Sequence, residues 1–205
     1  MIEELQEESY LYNLLSQLFL PEPSEGLLRG LAAIAIPDAD DHNADTGLRF
    51  LVQSSQENAQ RLDLWREELV VEYTRLFIGP KSPPAVPFAS FYLSDNRALM
   101  TNETIEVRKK YMESGMGVIN LYQVPDDHIA IELEFVNYLT KQALDAARSG
   151  DIVAAQSSLT ARNEFISGHL RLWVPTFADK ILENTGEEFF KGTAYLLKGT
   201  LVDIP

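Results

Sequence analysis

Apolar residues recur at helical spacing from one end of this chain to the other, and no stretch of β-branched residues alternates as a half-buried strand does. That pattern restricts the fold to packed helices, and prolines, glycines and capping residues mark where they break. A first helix is expected from about Glu4 to Phe19, with Leu11, Leu14, Leu15 and Leu18 as its stripe, stopping at Pro21-Glu22-Pro23. Ser24 then caps a short helix bearing Leu27, Leu28, Leu31 and Ile34. The polar stretch Pro37 to Asp45 reads as a loop, and helices follow at about Thr46 to Ala59 and Leu62 to Ile78. Thr101 or Asn102 caps the next, which carries Ile105, Val107, Arg108 and Tyr111 and ends at Gly115. Asp127 to Ser149 forms a long helix closed by Gly150, and Asp151 opens its antiparallel partner, which runs to about Ser167. Pro175 suits the first turn of a further helix ending near Gly186, and Glu187 to Leu201 forms the last. The expected fold is all-α, a single irregular helical bundle of about nine to eleven helices over residues 1–205.

The stretch from Gly115 to Val124 begins with two glycines and is followed by Pro125, which makes residues 115–125 a candidate hinge. It is either an ordinary loop over the bundle or a point through which halves exchange between chains, giving dimers beside monomers. With 205 residues the chain can bury a sizeable core. No cysteine is present, which removes disulfides, thiol nucleophiles and thiolate metal sites. Thirty-one acids against 17 bases give a net charge of −14, unsuited to a nucleic-acid module and compatible with a basic polypeptide partner. The opening Met1-Ile2-Glu3-Glu4 is acidic where a signal peptide is basic, and apolar runs such as Leu31 to Ile36 are too short to span a bilayer. A cytoplasmic protein without stable membrane insertion is expected.

Pro125-Asp126-Asp127-His128 brings three titratable groups to the entrance of the long helix. Proline delivers the chain extended, and Asp126 or Asp127 can then cap the first turn. On the helical wheel, Glu134, Asn137, Lys141, Asp145 and Arg148 form a polar stripe. His128 and Glu132, four residues apart, project away from it among Phe135, Val136 and Leu139. An ionisable pair on an apolar face is either a capped, internally satisfied histidine or part of a binding site.

A second motif is Glu72-Tyr73-Thr74-Arg75-Leu76-Phe77-Ile78-Gly79-Pro80. It ends a helix whose face carries Trp65, Leu69, Tyr73, Leu76 and Phe77, a stripe that is core in most helices. Four prolines follow within residues 80–87, an extended segment unable to form helix. The aromatic Phe88-Ala89-Ser90-Phe91-Tyr92 then argues for a loop tied onto the body rather than a flexible linker.

Enzymatic constellations are missing. The three histidines are His42 in the polar loop, His128 and His169. There is no nucleophile elbow, P-loop or dinucleotide fingerprint. Asp126, His128 and Glu132 are metal-ligand types, but a His–Glu pair without a nearby second histidine falls short of a zinc site. Neither a catalytic role nor a metal or other cofactor is expected.

In order along the chain, several motifs resemble the TorD/DmsD/NarJ family of redox-enzyme maturation chaperones. They are Tyr73-x-x-Leu76-Phe77-x-Gly79-Pro80, Ser90-x-Tyr92 after the proline loop, Val107-Arg108 with Tyr111, Pro125-Asp126-Asp127-His128 leading to Glu132, and His169-x-x-x-Trp173-x-Pro175. The resemblance implies an all-helical cytoplasmic chaperone that holds the apo-subunit of a molybdenum or tungsten oxidoreductase during cofactor loading. It also implies binding of the client's twin-arginine signal peptide. Asp126, Asp127 and Glu132 would meet the arginines, with His128 tuning the site, and Tyr73, Leu76, Phe77, Ser90 and Tyr92 would border the peptide. Two departures stand out: Phe88-Ala89 precedes Ser90 where a smaller or more polar pair is expected, and Trp65 lies too far from Tyr73 to carry a tryptophan role. The alternatives are a non-catalytic helical adaptor and a chaperone for a redox subunit that is not exported.

Overall fold

The computed structural model describes residues 1–36, 42–80, 82–117 and 124–202. The fold is all-α, as expected, and among the described residues the β pairing is one isolated antiparallel bridge, Phe88 with His128. The chain divides into two compact units: Met1–Phe19 with Phe88–Trp173, and Leu20–Pro87 with Val174–Pro205. The candidate hinge lies mostly on residues 118–123, outside the described residues, as does most of the polar loop from Pro37.

The first unit contains α1 (Ile2–Leu18), and later α5 (Ala89–Leu93), α6 (Asn102–Glu113), α7 (Ile129–Ser149) and α8 (Ile152–Phe165). α7 packs against α1 and α8. It ends at Gly150, left-handed at φ 82°, and Asp151 caps α8 by accepting from the Ala154 N–H at 2.9 Å, as the sequence predicts. Tyr111, Phe135 and Phe165 fill the interior, with ring centroids 4.7 Å apart for Tyr111–Phe135 and 5.0 Å for Phe135–Phe165. Asn137 leaves the expected polar stripe: it is buried, and its Oδ1 accepts from Ser9 of α1 at 2.8 Å. That bond satisfies a polar group the wheel assigns to water. In α1 the buried stripe also takes in Leu5 and Tyr12, whereas Leu11 and Leu14 are half-buried.

The second unit contains α2 (Glu25–Ala32), α3 (Asn43–Asn58), α4 (Leu62–Tyr73) and α10 (Glu188–Leu201). Ser24 caps α2, accepting from the Leu27 N–H at 3.1 Å. α3 starts at Asn43, earlier than the expected Thr46, and packs along α10 through glycines. α4 passes into a π-helical turn, Thr74–Ile78, and stops at Gly79, where φ is 57°. The proline segment is tied down: the Ala85 N–H donates to the Leu76 carbonyl at 3.0 Å, and Ala85 and Val86 are buried.

Two further expectations are corrected. Residues after Phe88 form the short α5 rather than a loop, because Asp127 in the first unit supplies acceptors for its opening N–H groups. Pro175 lies inside α9 (Arg171–Asn184), not in its first turn. The chain reaches α9 from α8 through a π-helical segment, Ile166–Leu170, so no new helix start is needed at the proline.

Candidate functional site

α7 is capped by His128 rather than by Asp126 or Asp127. The backbone at His128 is extended (φ −72°, ψ 135°), and its Nδ1 accepts from the Ala130 N–H at 3.2 Å. Phe88 packs edge-on against the imidazole with centroids 5.0 Å apart. Both aspartates turn inward and are fully buried. Asp127 Oδ2 accepts from the Ser90 N–H at 2.7 Å, and Oδ1 from Thr104 Oγ1 at 2.9 Å, which joins the starts of α5 and α7 to α6. Asp126 pairs with Arg108 of α6 through Nε and Oδ2, and its carbonyl accepts from Tyr111 Oη at 2.9 Å. Among the described residues Asp126 Oδ1 has no hydrogen-bond donor, an expensive state for a buried carboxylate oxygen.

Glu132 is also fully buried, and its partner is His169 rather than His128. Glu132 Oε1 lies 2.7 Å from His169 Nε2, and Trp173 Nε1–H donates to Oε2 at 3.2 Å. The π-helical turn puts His169 over Phe165, stacked with centroids 4.9 Å apart. Trp173 in turn stacks on Tyr92 of α5 at 5.5 Å. The His–x–x–x–Trp spacing in the sequence was the signal for this triad, but nothing local ties it to Glu132.

Ser90, Tyr92, Asp126, Asp127, His128 and Glu132 therefore gather in the first unit. Tyr73, Leu76 and Phe77 belong to the second and are buried in it. Phe77 packs on Tyr73 at 4.8 Å and on Phe177 and Phe190 at 6.0 and 5.9 Å between centroids. Burial pushes the Tyr73 hydroxyl up to about 12. Among the described residues no group of three or more His, Asp or Glu is arranged to hold a metal ion, and no helix is long and apolar enough to cross a membrane.

Beside the Asp126–Arg108 pair the surface opens into a pocket of about 280 Å³, lined by Met100, Thr104, Ile105, Arg108, Val124 and Pro125 among others. Met100 is held at φ 57°, a left-handed conformation that costs a non-glycine residue roughly 1–2 kcal/mol.

His128 and Glu132 work in opposite directions with pH. Burial lowers the His128 value to about 4 from 6.5, outweighing the opposing charge of Asp127. Its contribution to stability is full above 6.5 and is lost as pH falls through about 4. Protonating Nδ1 also removes the acceptor that caps α7. Burial raises Glu132 to about 7 from 4.5, against the effect of His169, so its contribution is full below 4.5 and lost as pH rises through about 7. In His128→Asn, which keeps a capping side chain, only the second slope remains. Relative to wild type, the variant is expected to gain roughly 2–3 kcal/mol between pH 7.5 and pH 4.5. Melting curves at the two pH values measure this, and a constant difference between the proteins rules out an uncharged His128 in the fold.

The model of the nitrate reductase delta subunit family matches residues 41–179. The chain is 28% identical over 189 residues to the chaperone protein TorD of Vibrio cholerae serotype O1, a match covering 88% of this chain and 84% of that protein. It is 26% identical over 135 residues to the Tat proofreading chaperone DmsD of Salmonella typhi, covering 66% and 59%. A crystal structure described as a redox enzyme maturation protein, from Archaeoglobus fulgidus, has the same fold, with a TM-score of 0.50 at 22% identity over 92% of this chain and 91% of that one.

Proposed function

The chain belongs to the nitrate reductase delta subunit family, and from that membership we propose that it is a redox-enzyme maturation chaperone acting in the cytoplasm. It holds the apo-subunit of a molybdenum or tungsten oxidoreductase while the cofactor is inserted. It also engages the client's twin-arginine signal peptide until maturation is complete. The observation that carries this reading is the run of relatives named as chaperones, TorD and DmsD, over most of the chain's length. The first unit adds the chemistry: buried carboxylates next to an open pocket with apolar walls, which suits a peptide joining arginines to an apolar segment. Asp126, beside the pocket through Arg108, bears on the arginines, and Asp127, His128 and Glu132 with Ser90 and Tyr92 hold that end of the site in shape. Tyr73, Leu76 and Phe77 lie in the core of the second unit and are not part of this site.

Titration calorimetry with a peptide carrying two adjacent arginines ahead of a leucine-rich stretch tests the reading. Asp126→Asn with Asp127→Asn is expected to weaken binding by roughly 1–3 kcal/mol, the range for charge-assisted hydrogen bonds. A lysine-for-arginine peptide should bind less well to wild type, because an ammonium lacks the planar two-point contact. Equal affinity of wild type and a folded double variant for the arginine peptide would leave the aspartates as scaffold residues and favour a helical adaptor.

A further inference from the structure

Asp126 and Arg108 are an unequal pair. The carboxylate is fully buried, the arginine side chain is 28% exposed, and Arg108 lines the pocket. Arg108 thus stands between the pocket and a buried carboxylate, one oxygen of which has no hydrogen-bond partner among the described residues. A guanidinium presenting two parallel N–H groups would satisfy both oxygens, and this subsite already accepts that group from the chain itself. The collar is apolar and exposed: Met100 63%, Ile105 51% and Val124 41%. An internal ion pair has no use for such a collar. At about 280 Å³ the pocket is smaller than the roughly 300–1,000 Å³ typical of small-molecule sites, a size suited to side chains.

We propose that this pocket is the docking site for an arginine-containing client segment, and that Arg108 is a resident guanidinium which the client's arginine replaces on Asp126. An aliphatic residue next to that arginine packs against Met100, Ile105 and Val124. In the empty protein Arg108 keeps the buried charge compensated, which lowers affinity for weakly matched basic peptides and so sharpens selection. The inference rests on the signal-peptide reading above and adds where the arginine goes and what it displaces.

The test compares wild type, Arg108→Gln and Ile105→Lys for binding of a peptide with two adjacent arginines ahead of a leucine-rich stretch, with citrulline in place of arginine as the control. Arg108→Gln is expected to bind the arginine peptide about 5- to 50-fold tighter, since the competitor is gone, and to leave citrulline binding unchanged. Ile105→Lys, on the exposed rim, is expected to lose at least tenfold. Weaker or equal binding by Arg108→Gln, with wild-type binding intact, overturns the replacement while the signal-peptide reading stands. Binding by Arg108→Gln where wild type binds nothing supports it. No binding by either protein overturns both. Should Arg108→Gln fail to fold, Ile105→Lys decides: wild-type affinity in that variant removes the pocket from the site.

Discussion

Gly47→Ala is expected to lower the melting temperature by roughly 5–10 °C, through about 2–3 kcal/mol of overpacking. A Cβ at Gly47 would overlap the backbone nitrogen of Leu196 in α10 and stand 2.7 Å from the Gly192 carbonyl oxygen. Both obstacles are backbone, which cannot rotate aside as a side chain does. Gly192 and Gly199 face α3 in the same way, the latter against Ala44, so the α3–α10 contact is built on missing side chains. Gly30 is the internal control. It lies in α2 with no atom within 4 Å of an added Cβ, and alanine there should stabilise by about 0.5–1 kcal/mol. Thermal melting of the two variants gives opposite signs. A Gly47→Ala protein that melts with wild type would mean that α3 and α10 do not approach this closely.

Asp127→Ala should cost about 2–4 kcal/mol, more than the ~1 kcal/mol of a lost helix cap. The carboxylate is not capping α7; it receives the Ser90 N–H and the Thr104 hydroxyl from α5 and α6. Truncation leaves a buried backbone N–H without its acceptor at the start of α5. Asp127→Asn should cost much less, because the amide oxygen can still accept from Ser90 while its NH₂ donates to Thr104 Oγ1. Urea unfolding of the two variants separates the roles. A loss near 1 kcal/mol for Ala, matched by Asn, would return Asp127 to a capping function.

Much of the helical layout was legible because its signals are local. Ser24 and Asp151 cap where they were expected, and Gly79 and Gly150 end their helices with positive φ. The His128 cap was misread because an imidazole competes poorly with aspartate on general preference; Asp126 and Asp127 were unavailable only because partners distant in sequence claimed them. Asn137 was misread for the same reason, since its burial depends on Ser9, 128 residues away. α5 has too little sequence to declare itself and forms where Asp127 meets its N-terminus.

The candidate site divides along the same line. Residue types and spacing alone marked Asp126, Asp127, His128 and Glu132 as anomalous on an apolar helix face, and they are indeed buried or half-buried. What each one holds was not readable. Glu132 with His169 and Trp173, Asp126 with Arg108, and Asp127 with Ser90 and Thr104 join segments 18 to 41 residues apart. The sequence determined the helices and flagged the ionisable residues, because helical period and end signals act within a turn or two of the chain. The tertiary structure decided which carboxylate pairs with which cation, which glycines permit contact and where a pocket opens, because those depend on burial between elements that no local spacing encodes.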